Sequence, residues 1–142
     1  MTNAVGSDVV ERLMAAGIRP DYDSIGVWEG YLEQRLLLTR CEACSYWIHF
    51  PRSLCPKCWS DNVGLHELSG RGVVYTFTVD HDRDGDSVMA LVELPEQVGL
   101  RMVAPIVECD AGDVTIGMDV AVTWQDFRGI PVPAFRPTKV GD

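Results

Sequence analysis

Hydrophobic and polar positions change period along this chain, and each change predicts a different element. Near the N-terminus Val9, Val10, Leu13 and Met14 fall on one side of a short helix. Ser7 is placed to cap it, and Gly17 followed by Pro20 ends it. A second short helix is predicted after Asp23 or Ser24, where Trp28, Tyr31 and Leu32 stand at i, i+3 and i+4. Its bulky apolar face packs either on the rest of the fold or on another protein chain. Residues 35–40 then read as a strand leading to Cys41.

Beyond Cys58 the period becomes two. Val73, Tyr75, Phe77 and Val79 alternate with Val74, Thr76, Thr78 and Asp80, as in a half-buried strand. Similar runs follow at 88–94, 100–108 and 120–127, and a shorter extended piece is read at 65–68. Gly70, Gly72, Gly99, Gly117 and Gly129 lie near the ends of these runs, where turns need permissive backbone. About five short antiparallel strands in roughly 70 residues is the size of a small closed barrel such as the OB-fold. The segment 131–137, Pro-Val-Pro-Ala-Phe-Arg-Pro, is read as too proline-rich for a central strand. The expected fold is mainly β: short N-terminal helices over 1–34, a cysteine-bearing ribbon over 35–68, and a five-stranded OB-fold barrel with its tail over 69–142.

Composition narrows the class. The chain has 142 residues, enough for one domain or two small modules, and its 46% hydrophobic and 23% charged residues predict a buried core and no disorder. The longest apolar runs, 36–38 and 103–107, fall far short of the roughly 18 residues that span a bilayer, so no membrane is expected. The first eight residues lack a basic segment followed by an apolar one, so no secretory signal is read and the cytoplasm is the expected compartment. There, paired cysteines point to metal and not to disulfides. A net charge of −9 repels phosphate backbones and makes nucleic acid an unfavoured partner.

Cys41-Glu-Ala-Cys44 and Cys55-Pro-Lys-Cys58 form two knuckles, each able to aim two sulfurs at one centre. The ten residues between them allow a short hairpin that brings the knuckles together. We read a structural Zn²⁺ held by Cys41, Cys44, Cys55 and Cys58. Iron is the rival for the same four sulfurs, and a redox Cys-x-x-Cys pair is a third reading. Four thiolates leave no open coordination position, which makes the metal scaffolding and not a catalyst. Cys109 is read as a small buried hydrophobe. Asp80 to Asp86 has the spacing of a calcium loop, but Leu91 stands where a bidentate Glu belongs, so a solvated hairpin is expected. His49, His66 and His81 match no triad spacing, and no catalytic residue is assigned. Arg52, after Phe50 and Pro51, and Arg71, between Gly70 and Gly72, either bind a phosphate-bearing ligand or form salt bridges.

Taken in order, several features carry a resemblance over about residues 25 to 137. They are Trp28, Cys41-x-x-Cys44, Pro51-Arg52 before Cys55-Pro-Lys-Cys58, the run Ser69 to Thr78, Ala90 to Leu94, Ile116 to Val120 and Phe135-Arg-Pro137. This sequence resembles the family that joins a rubredoxin-like zinc ribbon to an OB-fold and serves as an acyl-CoA-associated partner of thiolase-like enzymes. The resemblance implies a noncatalytic subunit in a hetero-oligomer with a thiolase, an acyltransferase or a thiolase-like aldolase that shortens sterol side chains, with acyl-CoA at or near the interface. Phe50, Arg52, Arg71 and Trp28 are then expected to contact ligand or partner. Two other classes stay open: a single-stranded nucleic-acid-binding protein and a rubredoxin-like iron electron carrier.

Overall fold

The computed structural model describes residues 7–138. Residues 1–6 and the Ser7 side chain lie outside it, and with them the predicted Ser7 cap and the stretch read for a secretory signal. The chain forms two compact units, Met1–Glu67 with Gln125–Val132, and Leu68–Trp124 with Pro133–Asp142.

In the first unit, α1 (Ser7–Ala15) stops where Gly17 takes φ 83°, a left-handed conformation cheap only for glycine. The Gly17 N–H donates to the Met14 carbonyl and the Ile18 N–H to that of Leu13, closing a Schellman turn. Leu13 of the helix and Ala16 just past its end are buried against Ile130, with Val9, Ile18, Ile25, Trp28, Leu32 and Val132 packed around them. The next helix, α2 (Ile25–Leu32), starts directly after Ser24 as expected, and the turn Asp21–Ser24 leads into it. The Asp21 carboxylate accepts from the Ser24 N–H at 2.7 Å, and Ser24 Oγ accepts from the Asp21 N–H at 3.0 Å. Hydrogen bonds to the carboxylate from Ser24, its hydroxyl first and its backbone N–H next, hold the Asp21 carboxyl below its usual range.

After α2 the chain enters a three-stranded antiparallel sheet in the order β2 (Trp47–Ile48), β1 (Leu37–Cys41), β3 (Val63–Glu67). The extended piece predicted at 65–68 is thus a ribbon strand, because Leu65 and His66 pair with Thr39 and Leu38.

Strands β4 (Arg71–Asp82), β5 (Gly85–Glu93), β6 (Arg101–Ile106), β7 (Asp119–Phe127) and β8 (Ile130–Pro137) close a barrel in the order β4-β5-β6-β8-β7. Alternation fills its interior with Val74, Val88, Ala90, Val92, Met102, Ala104, Ile106, Val120 and Phe135, all buried. Gly72 permits close approach there, since a Cβ would meet Val92 Cγ1 at 2.4 Å. The β4–β5 turn is two residues long, with Asp82 opposite Gly85, so the segment read as a solvated hairpin is one.

The proline-rich segment corrects the sequence reading, because β8 is a barrel strand lying between β6 and β7. The reason is the strand's period of two. Pro131, Pro133 and Pro137 share the edge of Phe135, whose bridge to Ile106 is the single described pairing of β8 with β6, and the Phe135 carbonyl also takes the Val107 N–H. Even-numbered residues keep their donors for β7, as the Thr138 N–H bonded to the Asp119 carbonyl shows. Prolines missing one edge's donors therefore cost this strand little. The hairpin tip is the two-residue turn Arg128–Gly129, both at positive φ. Among the described residues no helix is long and apolar enough to cross a membrane.

Candidate functional site

The two cysteine knuckles are built alike. In each, the first cysteine's N–H donates to the carbonyl five residues on, Cys41 to Tyr46 and Cys55 to Ser60. Its own carbonyl accepts from the residue four on, Ser45 and Trp59 respectively. This turn forces its last residue to positive φ, 68° at Ser45 and 67° at Trp59. Backbone N–H groups also point at sulfur: that of Cys44 lies 3.4 Å from Cys41 Sγ, and that of Lys57 3.4 Å from Cys55 Sγ.

Strand β1 ends on Cys41, and the β1–β2 pairing fixes the first knuckle. Burial of Cys41, Ile48 and Cys55, with Cys44, Tyr46 and Val63 beside them, fixes both knuckles in one small cluster. All four sulfurs lie within 4.8 Å of one another. Cys41 and Cys58 are 3.6 Å apart, and Cys44 and Cys55 3.7 Å. A tetrahedron with metal–sulfur bonds of about 2.3 Å has edges of about 3.8 Å, so the spacing is that of a zinc site.

Electrostatics agree with that geometry. The Cys44 N–H, more than any other neighbour, holds the Cys41 thiol down at about 7. At Cys55 desolvation acts upward, but the N–H groups of Cys58 and Lys57 prevail and the thiol is lowered. Cys58 takes the Ser60 N–H, which acts downward, yet desolvation and the three neighbouring sulfurs push it up to about 12. Four thiolates at this spacing need a cation among them, and zinc supplies it.

Of the other predicted contact residues, Phe50 and Arg52 are exposed on the ribbon, with Phe50 stacked on His49 at 4.5 Å. Trp28 is half-buried in the helical cluster, edge-on to Tyr31. Arg71 is exposed at the start of β4, in the other unit. Cys109 is half-buried in the bend after β6, less enclosed than expected, and desolvation together with Asp113 and Asp110 pushes its thiol up. Sequence reading passed over Trp59, which is 72% exposed in a backbone conformation that bulky residues avoid. The signal was there: the residue after a second knuckle cysteine takes positive φ, and Ser45 fills that place far more cheaply.

Comparison with known proteins follows the same division. Residues 28–64 match the family model of the ChsH2 rubredoxin-like zinc ribbon domain, and residues 65–125 that of the ChsH2 C-terminal OB-fold domain. The chain is 34% identical over 116 residues to a protein of Thermomonospora curvata named probable enoyl-CoA hydratase alpha subunit, covering 78% of this chain and 36% of that one. It therefore spans about a third of that relative's length. A DUF35 domain-containing scaffold protein of Methanocaldococcus jannaschii is 36% identical over 110 residues, covering 71% of this chain and 76% of that one. A solved structure described as the Ltp2-ChsH2(DUF35) aldolase superposes with a TM-score of 0.76 at 34% identity, covering 84% of this chain and 98% of that one. The zinc-ribbon match and the four clustered cysteines together fit a structural zinc. This chain belongs to the ChsH2 family of DUF35 proteins, in which a rubredoxin-like zinc ribbon precedes an OB-fold domain.

Proposed function

We propose that the chain is a noncatalytic subunit that binds and supports a thiolase-like or aldolase enzyme acting on acyl-CoA thioesters. The observation that carries this reading is the likeness, over nearly the whole of the solved chain, to one described as part of the Ltp2-ChsH2(DUF35) aldolase. The scaffold and hydratase-subunit names of the other relatives support a role beside an acyl-CoA enzyme. In this reading Cys41, Cys44, Cys55 and Cys58 hold a Zn²⁺ closed to substrate, so the metal fixes a surface and activates nothing. Segments 1–34, 35–68 and 69–142 act as helical lead, ribbon and barrel. Phe50, Arg52, Arg71 and Trp28 meet the partner or the CoA phosphates, arginine being suited to bidentate phosphate contact.

Purification of the tagged chain from its own cells tests this. Stoichiometric recovery of a thiolase-like chain is expected; an isolated monomer without affinity for CoA esters contradicts it. Arg52→Ala in the assembled complex tests the phosphate contact: weaker CoA-ester binding is expected, and unchanged turnover and affinity remove Arg52 from the site.

A further inference from the structure

The barrel's outer surface is not uniform. On β7 the residues alternating with buried Val120 are Asp119, Ala121 and Thr123, a small and polar face. Across β4, β5 and β6 the corresponding face carries large apolar side chains set among threonines. Leu91 stands opposite both Thr76 and Val103, and Met89 opposite Thr78 and Pro105. Val103 is 60% exposed, Met89 47% and Val73 39%. The register of β4 slips between Val74 and Thr76, so Tyr75 sits in a bulge, a device that re-aims a side chain; it is 48% exposed. The guanidinium of Arg101 lies 3.7 Å from the centre of the Tyr75 ring, while its Nε donates to Glu93 at 2.8 Å. Tyrosine, methionine and arginine on one fixed sheet are the residues that protein interfaces favour.

Charge identifies what covers this face. The same β4–β5 pair ends in a hairpin tip whose strand ends and turn carry Asp80, Asp82, Asp84 and Asp86, all exposed, and residues 68–124 hold ten carboxylates against three arginines. A second copy would set these carboxylates against their like, and nucleic acid or an anionic membrane would be repelled. A partner with an apolar centre and a lysine- and arginine-rich rim meets no such penalty. Resting on the partner-subunit reading above, we propose that the outward face of β4–β6, centred on Tyr75, Met89 and Val103, is where the enzyme subunit docks through such a surface.

Hydroxyl-radical footprinting of the free chain and of the chain isolated with its enzyme tests this. Oxidation of Met89 and Tyr75 is expected to fall several-fold in the complex. Val103→Asp, with zinc content and circular dichroism unchanged, is expected to weaken association at least about tenfold, whereas Thr123→Asp on β7 leaves it unchanged. If Val103→Asp does not fold, the footprint of the unmodified chain decides alone. A complex in which Met89 stays as reactive as in the free chain overturns the docking face and leaves the partner reading intact. Protection seen only in a dimer of this chain overturns the proposed occupant. Absence of any enzyme partner overturns both readings.

Discussion

The ribbon and the barrel solve the same problem with opposite means. Around its two knuckles the ribbon buries only two cysteines and Ile48, with Cys44, Tyr46 and Val63 half-buried beside them, while Leu38 and Trp47 are buried along its strands. That is too little apolar surface to offset the entropy of ordering its loops, and four sulfurs at tetrahedral spacing supply what the side chains lack. The barrel is closed, and its alternating strands bury valine, alanine, methionine and phenylalanine from every strand. One region is held by a metal and the other by packing, so each should fail under a different insult.

The largest effect expected is that of metal removal. Structural zinc contributes on the order of 10 kcal/mol to the folding of small zinc modules, far more than the ribbon's own core can replace. Chelation, or Cys55→Ser, should abolish amide-exchange protection over β1–β3 while amides of β5 and β6 stay protected. Simultaneous loss of protection in the barrel would break the contrast. Phe135→Ala is the converse: it empties a fully buried site and should cost the barrel about 3 to 5 kcal/mol by denaturant unfolding, with zinc content unchanged.

A pH effect of intermediate size belongs to the first unit. Burial pushes the Tyr31 hydroxyl up to about 12 from an ordinary 10. The stability tied to its neutral form is fully present below pH 10 and is lost as pH rises toward 12, by about 2 to 3 kcal/mol. Tyr31→Phe should flatten that part of the stability profile, and a profile as steep as in the parent would contradict it. The smallest effect concerns the two knuckles. Trp59→Gly relieves a left-handed backbone and should stabilise the ribbon by about 1 kcal/mol, while Ser45→Gly gains less. Destabilisation by Trp59→Gly would mean that the exposed indole holds the knuckle in place.

This contrast also decides how much could be read from residues alone. The ligand set is legible because Cys-x-x-Cys is a local turn whose two sulfurs must converge. The strands β4 to β7 are legible because one face is buried and alternation records it. Strand β8 is hidden because its prolines break the usual rule, and only the neighbouring strands reveal that they all lie on the edge where a missing donor matters least. The piece at 65–68 is visible as extended, but pairing with β1, a long-range choice, assigns it to the ribbon. The bulge at Tyr75 and the Arg101 contact arise from register between strands, which no periodicity encodes.

Turnover of a CoA thioester, measured with this chain alone, with its co-purifying enzyme alone and with the two combined, tests the proposed role most directly. The account predicts no turnover by this chain, whether or not zinc is bound, and enhanced turnover when the two are combined. Turnover by the purified zinc-loaded chain alone, or an enzyme indifferent to its presence, would contradict it.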